Sequence, residues 1–263
     1  MITKLDIFKV LDEIKAPKGS VVTVHTSLKS IGEIEGGGQT LLDALIEYFT
    51  ECGGLLVIPT HTWTNLDTPG AITLDLTKNE TCLGVLPTLA LLDGRGVRSM
   101  HPTHSVTVFG EGAAEFASLD DNTNTFASPD GCYGELLRRG GHILLIGVGN
   151  DKNTFIHCVE EILGVKNRNS SDTITTTTRL TGGNTVTRSF FPMYTEGCDD
   201  ISLYFPKYDA PLKSVTAFGR LGGAELRLIS TRKIYDIMNT IFERSGGCEI
   251  LLTDKPIDES FYD

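Results

Sequence analysis

The strongest constraint on the fold is a strand–loop–helix–strand pattern near the N-terminus. Val21-Val22-Thr23-Val24 is a compact β-branched run, and it leads through the polar stretch His25-Thr26-Ser27-Leu28-Lys29-Ser30 to Gly36-Gly37-Gly38. Leu41, Leu42, Leu45, Ile46 and Phe49 then recur at helical spacing until Gly53-Gly54, and Leu55-Leu56-Val57-Ile58 is the next apolar run. Two short strands joined through a helix lie parallel in one sheet, with a right-handed crossover.

The pattern recurs along the chain. Leu86 to Leu92 reads as a helix starting near Pro87, Ser105 to Phe109 as a strand, and Glu111 to Phe116 as a short helix. Ile143-Leu144-Leu145-Ile146 is the clearest buried strand, followed by Gly147-Val148-Gly149 and a helix from about Asn153 to Leu163. Ahead of all these, Leu5, Phe8, Leu11 and Ile14 repeat every three residues and predict a helix ending near Pro17. Ile234, Ile237 and Ile241 mark a last helix, and Glu249 to Leu252 a closing strand. Repeated βα units predict an α/β fold with a largely parallel sheet and helices on both faces.

Residues 165–215 differ in character. Thr173 to Leu180 and Thr185 to Phe190 are β-prone runs around Gly182-Gly183-Asn184, the pattern of a hairpin. Phe190, Phe191, Tyr194, Tyr204, Phe205 and Tyr208 concentrate there, either lining a ligand cleft or packing a small subdomain. The expected division is a core of residues 1–164 and 216–263 and a β-rich subdomain of 165–215.

With 263 residues, 40% of them hydrophobic, the chain can bury a full core in one large α/β domain. Its 23 Lys+Arg against 34 Asp+Glu give a net charge of −11. That balance argues against a nucleic-acid binder, which normally shows a basic patch, without excluding a local basic groove, and favours cationic small molecules as partners. No run reaches the ~18–20 apolar residues of a membrane span. The opening Met1 to Asp6 has no leader pattern, so the expected location is the cytoplasm. Six dispersed cysteines without a C-x-x-C pair predict free thiols in a reducing compartment, with no zinc ribbon or redox motif.

The segment from Gly147 to Glu161 concentrates the candidate chemistry. A buried strand delivers the chain to glycines and a helix begins at once, with Asp151 or Asn153 able to cap it. His157, Glu160 and Glu161 stand at i, i+3 and i+4 and share one helical face. A carboxylate beside the His suits a general base, whereas a solvated polar face with a satisfied His explains the same spacing. His61 and His101-Pro102-Thr103-His104 could join His157 and Glu160 around a metal, but no H-E-x-x-H pattern accompanies them. Cys158 points ~100° away from His157 on a helix, which sets aside a thiol nucleophile. The glycine loop from Ser30 to Gly38 matches neither a P-loop nor G-x-G-x-x-G. The hydroxyls, amides and Lys29 of the preceding stretch could still cradle a pyrophosphate.

Taken together, three ordered blocks resemble the aminoglycoside 3-N-acetyltransferase family. They are Val24 to Gly32 with the following glycines and Leu55 to Trp63, then Arg98 to Ser105 ending at Gly110, then Ser128-Pro129 and Ile143 to Glu160. Gly219 to Glu243 is similar as well. The resemblance implies a three-layer α/β/α sandwich with a small β-rich subdomain, distinct from the common N-acetyltransferase superfamily fold. It also implies an acetyl-CoA-dependent N-acyltransferase acting on an aminoglycoside or related amino sugar, while the ligand spacing, charge and hydropathy read above predict no metal and no nucleic-acid or membrane partner. A homodimer is left open. By the same resemblance, His157 matches the general base, Glu160 its orienting carboxylate and Thr154 the hydroxyl near the thioester carbonyl. Ser27, Leu28, Lys29, Ser30, Ile31 and Gly32 match the coenzyme A cradle, with Ser105 and Val106 near the pantetheine arm. Between His157 and Glu160 the chain carries Cys158-Val159 where the resistance enzymes often have Leu-Ala, and Glu161 follows. Two other classes fit the residues: a metal-dependent hydrolase using His101, His104 and His157, and a non-catalytic binding protein on the same fold.

Overall fold

The computed structural model describes residues 1–68 and 70–263. The chain opens with α1 (Lys4–Glu13), whose N-terminus is closed by reciprocal hydrogen bonds between Thr3 and Asp6. The expected crossover follows as β1 (Val21–Thr26), the single turn α2 (Leu28–Ile31), α3 (Gly37–Thr50) and β2 (Leu55–Pro59). Next come β3 (Leu74–Asp75), α4 (Val85–Leu92), β4 (Val97–Arg98), β5 (Val106–Phe109) and α5 (Ala113–Ser118). Then α6 (Cys132–Arg138), β6 (His142–Ile146) and α7 (Phe155–Leu163) carry the chain into the region of the candidate base. Beyond it lie β7 (Ile174–Arg179), β8 (Thr185–Phe190), α8 (Asp209–Leu212), β9 (Thr216–Leu221), β10 (Ala224–Ser230) and α9 (Thr231–Arg244).

Seven strands form the main sheet in the order β4-β5-β2-β1-β6-β10-β9. Parallel pairing is confined to β2, β1 and β6, with Val22 opposite both Leu56 and His142. The outer joins are antiparallel. For one of them the reason lies in connection length: β9 and β10 are separated by Gly222-Gly223 alone, and a two-residue link permits only an antiparallel hairpin. The sequence reading expected a largely parallel sheet and did not anticipate this hairpin; the sheet is mixed, with two parallel and four antiparallel joins.

Alternate residues of the central strands divide between two cores, which is what makes three layers. Val21, Leu55, Val57, Ile143 and Leu145 pack with residues of α5, α6, α7 and α9. Val22, Val24, Leu56, Ile58, Leu144 and Ile146 pack with α1, α3 and α4. All five apolar positions read on α3 are buried.

Three expectations are corrected. On α1 the buried stripe is Ile7, Val10, Leu11 and Ile14, while Leu5 is 77% exposed. A strict three-residue repeat drifts off a helix that turns every 3.6 residues. The helix α7 is capped by neither Asp151 nor Asn153; a 3-10 turn at Asn150–Lys152 precedes it, and Thr154 sits at the N-cap without a side-chain bond. Glu249 to Leu252 is not a strand but an irregular strap whose Leu251 is buried in the core containing α9.

The predicted hairpin is present as β7 and β8, paired from Ile174–Phe190 to Arg179–Thr185. A third strand, β3, joins it in parallel from far upstream. Residues 201–215 are helical turns rather than strands. Phe190, Phe205 and Tyr208 are core residues, whereas Tyr194 is exposed. Among the described residues no helix is long and apolar enough to cross a membrane, and all six cysteines are unpaired.

Candidate active site

The parallel strands β1 and β6 end side by side, and the polar segments that leave them are stitched together. The Ser27 N–H donates to the Ile146 carbonyl at 2.9 Å, and the Ser30 hydroxyl lies 3.2 Å from the Gly147 carbonyl. Ser27 caps α2 by accepting from the Ser30 N–H, and Gly32 ends the turn at φ +93°. Gly147 takes φ +65°, and a Cβ there would stand 2.6 Å from the Ser30 Cβ. Only glycine allows this approach.

From the same end of the sheet, α7 carries His157 and Glu160 inward. Glu161, indistinguishable from Glu160 by spacing, instead turns to Thr125, whose hydroxyl donates to it at 2.7 Å. The His157 ring is held edge-on between Phe126 and Phe205, with centroids 4.9 and 4.7 Å away. Its Nδ1 faces Glu160 Oε2 at 3.8 Å, and both atoms are buried without a hydrogen-bond partner. The other Glu160 oxygen accepts from Arg168 Nε at 2.7 Å. Arg168 in turn is gripped by Glu249, through Nη1 to Oε2 at 2.7 Å and Nη2 to Oε1 at 3.2 Å. Sequence reasoning missed Arg168 and Glu249. The usable signal was that a buried carboxylate requires a cationic partner, which Glu160 lacks on its own helix.

A cleft of about 540 Å³ opens in front of this pair. His157, Thr154, His25, His61, His104 and Trp63 form part of its wall. Asp67, Asp151, Asp199 and Asp200 line it too, against Lys152, which pairs with Asp151 at 3.2 Å. This acidic rim also escaped the sequence reading, because its members come from separate loops. Ser105 and Val106 are fully buried and outside the cleft wall. The Ser105 hydroxyl donates to the Thr60 carbonyl at 2.8 Å and accepts from Arg98 Nε at 3.1 Å. None of Ser27 to Gly32 is on the cleft wall itself, although His25, just ahead of them in the chain, is.

The histidines cluster without converging on one point. The His61 and His104 rings meet at a tilt of 53° with centroids 4.5 Å apart, and His61 Nε2 meets the Tyr133 hydroxyl at 3.2 Å. His101 has both ring nitrogens engaged: Nδ1 accepts from the Thr103 and His104 N–H groups, and Nε2 reaches the Thr125 carbonyl at 2.9 Å. Burial pushes the His25 imidazole down to about 4 and holds His61 and His104 well below the ordinary value. Among the described residues no three His, Cys, Asp or Glu side chains form a group that could hold a metal ion. His101, His104 and His157 are not brought together as one such group.

Comparison with known proteins agrees with this architecture. The family model for aminoglycoside 3-N-acetyltransferase matches residues 23–243. Aminoglycoside N(3)-acetyltransferase IX of Micromonospora chalcea is 28% identical over 184 residues, a span of 64% of this chain and 64% of that relative. Aminoglycoside N(3)-acetyltransferase VII of Streptomyces paromomycinus is 24% identical, with 94% of each chain covered. Among solved structures, the apoenzyme of aminoglycoside acetyltransferase AAC(3)-IVa is 25% identical at a TM-score of 0.74, covering 93% of this chain and 90% of that one. AAC-IIIb, solved as a binary complex with CoASH, shares the fold at a TM-score of 0.79 and 19% identity, over 92% and 97% of the two chains. The match runs from β1 through α9 and takes in the strand ends, α7 and the cleft they build, so the chain belongs to the aminoglycoside 3-N-acetyltransferase family.

Proposed function

We propose that this protein is an enzyme that transfers an acetyl group from acetyl-CoA directly to an amine of an aminoglycoside or related amino sugar, with His157 as general base. One observation carries the reading: a buried imidazole on the cleft wall has one nitrogen turned to a buried carboxylate, leaving its other nitrogen for a substrate. In this scheme His157 Nε2 takes the proton of the attacking amine as the new N–C bond forms at the thioester carbon. Glu160 stabilises the imidazolium through Nδ1. Thr154, at the helix N-terminus, and nearby backbone amides support the oxyanion. When the C–S bond breaks, the proton on His157 is available to the departing thiolate. A thioester is already activated, so no covalent enzyme intermediate is required.

Donor and acceptor would approach from different sides. Ser27, Leu28, Lys29, Ser30, Ile31 and Gly32 would hold the phosphates of coenzyme A through hydroxyls, amides and the lysine. Ser105 would act on the pantetheine arm only indirectly, by fixing Thr60 and Arg98, and Val106, whose backbone pairs with Ser99, would do so only through the strand that carries Ser105. The CoASH complex of AAC-IIIb supports coenzyme A as donor, and the names of the relatives support an aminoglycoside acceptor. The acidic rim suits a polycationic acceptor. The unpaired thiols fit a reducing compartment such as the cytoplasm.

The test is an acceptor screen that reads thiol release from acetyl-CoA across aminoglycosides, amino sugars and polyamines. Release that depends on an aminoglycoside or amino sugar, with an acetylated amine in the product, is expected. Release at the same rate without any amine, or none with every amine, overturns the reading.

A further inference from the structure

Arg168 is a buried cation, its side chain only 4% exposed, set between two carboxylates from opposite sides. By taking Glu160 Oε1 it leaves Oε2 as the atom that meets His157. Its own position is over-determined. The turn at Asn167, φ +62°, brings the Lys166 and Asn167 carbonyls onto Nη1, and Glu249 closes a two-point grip from the far side. Glu249 is fixed as well: its Oε1 accepts from the Leu251 N–H at 2.8 Å, and Lys207 donates to the Leu251 carbonyl at 2.8 Å. The segment that sequence patterning reads as a closing strand is thus a strap that delivers one carboxylate to Arg168.

We propose that Arg168 is a positioning residue for the His157–Glu160 pair, and that Glu249 on the C-terminal strap governs how strongly it holds Glu160. This rests on the reading of His157 as the base. Behind the imidazole the charges alternate, negative at Glu160, positive at Arg168 and negative at Glu249. The proton affinity of His157 therefore depends on how many of the three are present. Other titratable groups facing this line are Tyr208 and Cys248 beside Glu160 and Arg168, and His61 and His104, which line the same cleft as His157. None of these lies between the links of the line.

Removing the two outer charges should move His157 in opposite directions. Glu249→Gln keeps a hydrogen-bonding partner but deletes a negative charge, so the uncompensated Arg168 should lower the pH at which His157 titrates. Arg168→Met deletes the positive charge and should raise it. A residue that served only to hold the fold would not produce shifts of opposite sign.

The experiment follows the His157 imidazole by NMR through a pH titration of the whole chain, with the signal assigned by its loss in His157→Gln. The expected result is a midpoint displaced by at least about half a pH unit downward in Glu249→Gln and upward in Arg168→Met. On an accepted amine, kcat should fall about tenfold or more in both variants while KM changes by less than about threefold. Midpoints that stay within about 0.2 units of wild type, or that both move the same way, overturn the proposal. Should Arg168→Met fail to fold, Glu249→Gln alone decides by its direction. A wild-type protein inactive toward every amine would sink the acetyltransferase reading, and the titration would still decide the link between Arg168, Glu249 and His157.

Discussion

Glu160 Oε2 stands 3.8 Å from His157 Nδ1, and neither atom has another hydrogen-bond partner although both are buried. The gap is ~1 Å longer than a charge-assisted N–H···O bond. Protonation of the ring at the cleft side would draw the two together, so the pair is best matched when His157 is charged. Replacing the imidazole removes proton acceptance without opening the fold. His157→Gln should lower kcat/KM on the accepted amine by ~100-fold or more, the usual contribution of a general base, with the thermal transition little changed. Steady-state thiol release measures it. Activity within about tenfold of wild type would take His157 out of the mechanism.

The aspartates around the cleft act on a different step. Asp67 and Asp199 are exposed on the rim, while Asp200 is tied to the Ser202 N–H and hydroxyl. Exposed charges steer and weakly hold a cation, and salt screens them. Asp67→Asn and Asp199→Asn should each raise KM for a polycationic acceptor ~3-fold at low salt, leave kcat alone, and lose this effect near 1 M salt. The result to watch for is a fall in kcat at constant KM, which would place these carboxylates in the chemistry rather than in acceptor binding.

The parts of the fold that could be read in advance are those where burial leaves a one-dimensional trace. β2 and the Ile143 to Ile146 stretch of β6 are buried and read as unbroken apolar runs, β1 opens on a buried β-branched run, and the inner stripe of α3 repeats at helical spacing. β9 leaves no such trace, because Phe218 and Arg220 on it face solvent and its buried positions are few. The site divides in the same way. His157 and Glu160 sit one turn apart on a single helix, so their meeting is written in the spacing. Glu161 has the same spacing and points elsewhere, since Thr125 draws it away. Arg168 and Glu249 are 81 residues apart and meet only because the strap crosses behind α7. No local pattern encodes that.

The buried histidines should make the protein sensitive to mild acid. Burial lowers His25 from 6.5 to about 4, and lowers His61, His101 and His104 as well. Each is neutral in the folded chain and more readily protonated once unfolded. Their contribution is therefore present above about pH 6.5 and is lost as the pH falls toward the folded-state values. For His25 alone the loss by pH 4 is on the order of 3 kcal/mol. Carboxylates such as Asp6, held low by Thr3, and Asp258, held low by Ser260, lose their share only below the ordinary range near 3.8. The two windows are thus separate. The expected outcome is a Tm that falls steadily between pH 6.5 and 4.5, with a shallower slope in His25→Leu. A Tm flat over that interval would mean that these imidazoles are not neutral in the folded protein.

Gly134 poses packing against helix propensity. It lies inside α6, where alanine would ordinarily be favoured by ~1 kcal/mol. A Cβ there would stand 1.7 Å from the Pro129 carbonyl oxygen and 2.4 Å from its carbon, both backbone atoms that no side-chain rotation can move aside. The helix must shift, and overpacking of this kind costs ~1–3 kcal/mol or more, which exceeds the propensity gain. Tyr133, the preceding residue, hydrogen-bonds His61 on the cleft wall, so the shift also reaches the site. Gly134→Ala should therefore unfold at lower urea and raise KM for the acceptor. Gly94→Ala, with nothing within 4 Å of its Cβ, should leave both within error. If the two variants unfold at the same urea concentration, the close approach of α6 to Pro129 does not limit this fold.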